Sequence, residues 1–279
     1  MKIGIIGYGF VGKALAFGVK KNVEILKIDP NLKTDIADLV KFKPDICFIC
    51  VPTPMNENGT QDISILEKVI DDLILNSISS TIVIKSTILP SYVRKIEELV
   101  PNLVLNPEFL RELHANEDFI NSKLIVLGGT KFSTDVVANF YKNHTRCLST
   151  NYKFTDLISA SLIKYSINTF LSTKVIFFNQ LYEIFSESSS ATSWEEFINI
   201  ISTDERIGSS HMQVPGTDGR FGFGGACFPK DCNALVAYSE DIGKPFEILK
   251  DIIEINNKIR KKYKNLSQRE IDQNINYNL

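Results

Sequence analysis

Lys2-Ile3-Gly4-Ile5-Ile6-Gly7-Tyr8-Gly9-Phe10-Val11-Gly12 decides the fold of this chain. A short apolar strand over residues 2–6 runs into glycines spaced G-x-G-x-x-G, and a helical stretch follows to about Lys20. The motif carries meaning only in that strand–turn–helix context. The first glycine permits the tight turn, and the second lets a pyrophosphate approach the backbone. The third lets helix and strand pack closely, with phosphate at the helix N-terminus. A second strand, residues 23–28, ends at Asp29. A carboxylate there accepts hydrogen bonds from the adenosine ribose hydroxyls and repels a 2′-phosphate, so the expected cofactor is NAD rather than NADP. The competing reading is a glycine turn followed by a surface aspartate, and the strand–motif–helix–strand–Asp order argues against it. Gly7, Gly9, Phe10, Val11, Gly12 and Asp29 are the candidate cofactor residues.

Outward from this motif, strands are expected over residues 45–51, 81–85, 103–105, 124–127 and 147–149. Helical stretches such as 63–75 and 91–99 lie between them. Strands with little polar alternation, separated by amphipathic helices, indicate a parallel sheet covered on both faces. The pattern changes near Tyr152. Residues 153–187 hold no glycine or proline, and their apolar residues recur at helical spacing, which predicts one long helix. A serine-rich stretch ends it, and a short helix over 194–201 follows. A Gly/Pro/Asp-rich loop over 208–225 precedes helices at 230–242 and 246–263. Residues 264–279 are polar and Asn-rich, and partial disorder is expected there. The expected architecture is α/β: a Rossmann-like parallel sheet (1–152), an all-helical domain with one long connecting helix (153–263) and a polar tail (264–279).

The bulk composition narrows the function. Hydrophobic residues make up 44% and charged residues 23% of 279, enough for a full core. A net charge of -2 gives no electrostatic argument for nucleic acid or an anionic membrane. The longest apolar runs are strand-sized, and residues 1–20 lack a secretory h-region, so a cytoplasmic location is expected. Five cysteines, an odd number, argue against a disulfide framework. Cys47 and Cys50 are spaced like a metal pair, but positions three apart on a strand point to opposite faces, so no metal is expected.

Two later segments carry chemistry. In Gly222-Phe223-Gly224-Gly225-Ala226-Cys227-Phe228-Pro229-Lys230-Asp231, a cysteine precedes a proline suited to a helix's first turn. Unpaired N–H groups at a helix N-terminus stabilise a thiolate, and the glycines leave room for a substrate. The competing reading, a structural cysteine, suits Cys232 better. In Leu162-Ile163-Lys164-Tyr165-Ser166-Ile167-Asn168-Thr169-Phe170-Leu171, Lys164 and Asn168 share one helix face. That face is able to present an ammonium and an amide to an oxyanion, or to be an ordinary solvated face. Glu108 and Glu112 follow Asn106-Pro107, which reads as a helix cap and first turn.

With Val51-Pro52-Thr53-Pro54, Lys85-Ser86-Thr87 and Asn106-Pro107-Glu108-Phe109-Leu110-Arg111-Glu112, these segments resemble the UDP-glucose/GDP-mannose dehydrogenase family. All five occur in the family's order across about residues 1–260. The resemblance implies NAD-dependent oxidation of a nucleotide-sugar C6 alcohol to the carboxylate, through a thiohemiacetal and thioester on Cys227. It implies catalytic roles for Cys227, Lys164, Asn168, Asp231, Glu108 and Thr87, and further cofactor contacts from Thr53, Thr87 and Glu112. It implies substrate contacts from Phe109, Leu110, Arg111, Lys164, Asn168, Arg206, Phe223, Gly224 and Lys230. Finally it implies a homodimer built on the long helix, in which Arg206 reaches the partner's substrate. Family members typically carry a C-terminal α/β domain that holds much of the nucleotide, and residues up to Leu279 contain no such strand–helix units. β-Hydroxyacid dehydrogenases are also similar, pairing a nucleotide-binding domain with a helical one carrying Lys-x-x-x-Asn, without needing the cysteine. A single hydride transfer, or NAD binding without turnover, are therefore the alternatives.

Overall fold

A strand that is almost wholly apolar must be covered on both faces, and the middle of the sheet is built from such strands, Ile46–Ile49, Thr81–Ile84 and Leu103–Leu105, all buried. The computed structural model describes residues 1–279. Its first half alternates β1 (Lys2–Ile6), α1 (Phe10–Gly18), β2 (Glu24–Ile28), α2 (Ala37–Phe42), β3 (Ile46–Ile49), α3 (Ser64–Leu75), β4 (Thr81–Ile84), α4 (Pro90–Leu99), β5 (Leu103–Leu105), α5 (Ala115–Ile120), β6 (Ile125–Gly129), α6 (Lys131–His144) and β7 (Tyr152–Thr155). The second half is helical: α7 (Leu157–Glu187), α8 (Trp194–Ser202), α9 (Phe228–Asp241), α10 (Glu247–Arg260) and α11 (Gln268–Asp272).

The seven strands form one sheet in the order β2-β1-β3-β4-β5-β6-β7. All neighbours are parallel except β5 and β6. The chain lays β2 on one side of β1 and returns to place β3 on the other. The strand order therefore reverses at β1, where open α/β sheets bind ligands beyond the strand ends. Ile6, Cys47, Ile49 and Ile84 pack on one face with Leu66 and Ile70 of α3 and Val93 of α4. Ile3, Ile5, Phe48 and Val83 pack on the other with Leu15 of α1 and Phe140 of α6. Cys47 belongs to the first cluster and Cys50 packs against the second, as the two-residue strand period requires.

The chain divides into two compact units, Met1–Thr53 with Asp62–Lys164, and Pro54–Gln61 with Tyr165–Leu279. The first unit runs to Lys164, inside α7, where a boundary at residue 152 was expected. β7 pairs with β6, and Leu157 and Ala160 of α7 belong to the core of the sheet, so the first unit extends two turns into the long helix. The expected strand at 147–149 is displaced to β7, and α7 begins at Leu157 rather than residue 153. β7 is an edge strand with two of its four side chains exposed, so it carries little apolar signal. In the second unit Phe178, Met212 and Val214 form a small core with Tyr182, Trp194 and Phe221 packed against it. No helix is long and apolar enough to cross a membrane.

Residues after 263, where partial disorder was expected, carry a short helix and buried side chains. Ser267 caps α11 through a capping box with Glu270, and Ile275 and Tyr277 are buried. The Met55 N–H donates to the Gln273 carbonyl, so residues 54–61 belong to the same unit. Several polar side chains find partners here, Gln268 with Asp272 and Glu270 with Ser267 and Tyr277, which composition does not record.

Candidate active site

In the first unit the glycine turn has the shape its spacing requires. Gly7 has φ +87°, and a Cβ there would fall 2.8 Å from the Cys50 carbonyl carbon at the end of β3. A Cβ on Gly12 would lie 2.3 Å from the Gly7 carbonyl oxygen. At Gly9, by contrast, a Cβ would meet nothing within 4 Å. Close packing at the first and third glycines and open space at the second, beside the N-terminus of α1, fit a pyrophosphate cradle. Phe10 and Val11 are half-buried in the first turn of α1. Asp29 sits at the tip of β2, where its carboxylate accepts the Tyr8 N–H at 2.8 Å and the Asn31 N–H at 2.9 Å. The acidic side chain is thus tied to the glycine turn itself.

The loops after β3, β4 and β5 bring further predicted residues together. The Thr53 hydroxyl donates to the Thr87 carbonyl at 2.9 Å. The Lys164 ammonium reaches the Glu108 carbonyl at 2.6 Å and Glu108 Oε1 at 3.2 Å, and lies 5.3 Å from the centre of the Phe109 ring. Glu108 Oε2 accepts the Leu110 N–H at 2.6 Å. A buried carboxylate with a cation on one oxygen and an amide on the other is held in one orientation. Arg111 instead grips Asp118 through two bonds of 2.7 and 3.0 Å, and its side chain points largely into solvent. Glu112 is half-buried in a short 3-10 turn.

The helix expected to begin at Asn106-Pro107 is absent. Asn106 Oδ1 accepts from Lys85 Nζ at 3.0 Å and from the Tyr141 hydroxyl at 2.6 Å, while Nδ2 donates to the Val126 carbonyl at 2.9 Å. Its side chain braces the sheet and is not available as a cap. Lys85, given no role by the sequence, is fully buried in this network, and burial pushes its pKa down.

In the second unit, Cys227 occupies the N-cap of α9, half-buried, with Pro229 in the first turn. Asp231, 1% exposed, accepts Lys230 Nζ on Oδ1 at 2.6 Å and Asn168 Nδ2 on Oδ2 at 2.6 Å. Asn168 and Lys230 are therefore joined through one carboxylate. Cys232 is fully buried in the same helix, and burial pushes its thiol up to about 12, which fits a structural role. Phe223 is buried and Gly224 half-buried in the loop leading to Cys227. Arg206 stands apart from these, 88% exposed in its side chain and paired with Asp204 two residues earlier.

Sequence reasoning missed the residues that hold the loop before Cys227. Phe221 N–H donates to the Tyr263 hydroxyl at 2.9 Å, Gly222 N–H to Asn179 Oδ1 at 2.9 Å, and Phe223 N–H to Asn256 Oδ1 at 2.7 Å. Arg260 donates to the Gly222 carbonyl at 3.1 Å and to Asp218 at 2.7 Å. Asn256 and Arg260 are four apart on α10, so their common face was legible as a spacing. Their partners were not.

The comparisons with known proteins agree with the motifs. Residues 27–145 match the UDP-glucose/GDP-mannose dehydrogenase family, NAD binding domain, and residues 158–258 match its central domain. The UDP-glucose 6-dehydrogenase TuaD of Bacillus subtilis is 32% identical over 88% of this chain and 53% of its own length. YtcA of the same organism, only provisionally named a UDP-glucose 6-dehydrogenase, is 31% identical over 92% of this chain and 67% of its own. The chain spans about half the length of the first of these relatives and two thirds of the second. Among solved structures, a UDP-glucose dehydrogenase from Pyrobaculum islandicum superposes with a TM-score of 0.76 at 23% identity, covering 93% of this chain and 68% of that one. A 3-hydroxyisobutyrate dehydrogenase from Mycobacterium tuberculosis gives 0.73 at 14% identity over 95% and 96%. At those identities the two superpositions speak for the fold alone.

Proposed function

The chain belongs to the UDP-glucose/GDP-mannose dehydrogenase family, and on that premise we propose that it oxidises the C6 alcohol of a nucleotide sugar to a carboxylate in two NAD-dependent steps. The observation that carries this reading is Cys227 at the N-cap of α9, with Asp231 fixed between Lys230 and Asn168 in the same helix's first turn. A single-hydride enzyme of the hydroxyacid type needs the lysine and the asparagine but no thiol.

Gly7, Gly9, Gly12 and Asp29 would hold NAD, one molecule for each oxidation, which would supply the hydride acceptor. The protein's own groups do the rest. Lys164 and Asn168 stabilise the oxyanion that develops as the alcohol loses its proton and hydride to become an aldehyde. The Cys227 thiolate adds to the aldehyde carbon, giving a thiohemiacetal, and loss of the second hydride leaves a thioester. Water attacks the thioester carbonyl, with Glu108, or Asp231 with Thr87, taking its proton, and the carboxylate leaves as the thiolate is regenerated. Holding the aldehyde on sulfur accounts for both oxidations without release of a reactive intermediate.

We also assign a homodimer to α7. Phe170, Phe177 and Ile184 are 68%, 59% and 67% exposed and seven residues apart, a row suited to a second helix. Arg206, exposed and paired with its neighbour Asp204, is the residue proposed to reach the partner's substrate. The test of the function is NADH production over a panel of UDP- and GDP-sugars. Two NADH per acid formed is the expected result. One NADH per product would leave the hydroxyacid-type reading ahead, and no turnover on any sugar would leave NAD binding without catalysis.

A further inference from the structure

Glu270 is 2% exposed, and three donors converge on its carboxylate. Oε2 accepts the Ser267 N–H at 2.7 Å, which is all that the capping box of α11 asks of it. Oε1 turns the other way and accepts the Tyr277 hydroxyl at 2.6 Å and the Gly225 N–H at 3.2 Å. Gly225 lies two residues before Cys227. A Cβ on Gly224 would fall 2.6 Å from Glu270 Oε1, so the loop backbone is pressed directly against the carboxylate. A cap alone gives no reason to bury a charge; a buried carboxylate is favourable only when its lone pairs are filled. Here one is filled by the loop that presents the nucleophile, and another by Tyr277, itself buried. Burial works against the Glu270 anion, but the Tyr277 hydroxyl and the Ser267 and Gly225 donors hold its pKa below the usual value.

We propose that Glu270, oriented by Tyr277, is a positioning residue that fixes the Gly224–Gly225 backbone and thereby sets the Cys227 thiol at the N-terminus of α9. The segment after α10 thus acts as a brace on the nucleophile loop. Asn179 and Asn256 pin Gly222 and Phe223, and Glu270 pins the last stretch before the cysteine. A thiol gains thiolate character from helix N–H groups only while it is held against them. The proposal rests on the reading of Cys227 as the nucleophile, but its readout needs no turnover.

The test is the pH profile of iodoacetamide alkylation at Cys227 in the intact chain, followed on the Cys227 peptide by mass spectrometry, with thermal melting in parallel. Glu270→Ala removes the brace, whereas Glu270→Gln keeps an oxygen for the Gly225 N–H and the Tyr277 hydroxyl while losing the charge and the acceptor for the Ser267 N–H. In Glu270→Ala the midpoint should rise by about one pH unit, lowering the rate at neutral pH about tenfold. Glu270→Gln should stay within about threefold of the wild type, because losing a nearby anion pushes the thiol the opposite way. Equal shifts in the two variants would mean a charge effect, and an unchanged profile with lowered melting would mean a merely structural contact; either overturns the proposal. If Glu270→Ala does not fold, Tyr277→Phe decides. It should raise the midpoint in the same direction, and no movement overturns the brace. A wild type that alkylates normally but turns over no sugar would sink the enzymatic reading and leave the positioning result standing.

Discussion

Asn168 Nδ2 donates to Asp231 Oδ2 at 2.6 Å, and this bond fastens α7 to the first turn of the helix that begins after Cys227. The other oxygen of the same carboxylate holds the buried Lys230 ammonium. A buried anion with one donor on each oxygen has no slack. Asn168→Leu strips one donor and leaves the oxygen desolvated. The expected loss is about 1–3 kcal/mol in urea unfolding, with activity reduced further than stability. Asp231→Asn leaves Lys230 without its counter-charge, and a larger loss, about 3–5 kcal/mol, is expected. Two variants as stable as wild type would show that the carboxylate is not fastened in this way.

Cys227→Ser should retain part of the first hydride transfer and fail to release acid. A serine hydroxyl is a poor nucleophile without a dedicated base, so no readily hydrolysed acyl intermediate forms. Cys232→Ser, in the same helix but fully buried, should leave the chemistry intact. Product analysis by mass spectrometry distinguishes them. Full acid production by Cys227→Ser at the wild-type rate removes covalent catalysis.

Asp29 should make NAD strongly preferred over NADP. Its carboxylate is held at the glycine turn by the Tyr8 N–H, where a 2′-phosphate would meet a fixed negative charge. Calorimetric affinities for the two cofactors measure the preference, and equal values would withdraw the ribose assignment.

Alkaline pH should destabilise the fold. Burial pushes the thiols of Cys47, Cys50 and Cys232 from 9.0 up to about 12. Between those values the thiols stay protonated in the folded chain and ionise in the unfolded one. The folded state then binds more protons, so stability falls as pH rises, by about 1.4 kcal/mol per unit for each thiol. More than about one unit below pH 9 these groups contribute almost no slope. Cys47→Ala should flatten the decline between pH 9 and 10.5 by about one thiol's share, read from urea midpoints. An identical slope in the variant would refute the assignment.

The row Phe170, Phe177 and Ile184 should be covered by a second copy. Light scattering at micromolar concentration is expected to give a dimer, and Phe177→Asp to shift it toward monomer. A wild-type monomer would remove the dimer and, with it, the role proposed for Arg206.

Local order was written in contiguous sequence. The run Ile46–Ile49 is buried because it is apolar throughout, Gly7 and Gly12 stand where only a backbone fits, and α7 is continuous because thirty-one residues pass without a breaker. The same holds for Cys227 before Pro229, whose place at a helix start follows from proline alone. Motif resemblance then named candidate site residues without showing what each one touches. Tertiary structure alone decided those contacts. Lys164 meets Glu108 across 56 residues, Asn168 meets Asp231 across 63, and Glu270 meets Gly225 across 45. It also decided that Asn106 braces Lys85 rather than capping a helix, that β6 runs against β5, and that a polar tail is ordered. Periodicity reports which face of an element is buried, because burial of apolar area is local and non-directional. A buried polar group is stable only when a specific donor or acceptor reaches it from elsewhere in the chain, and that depends on where the chain returns.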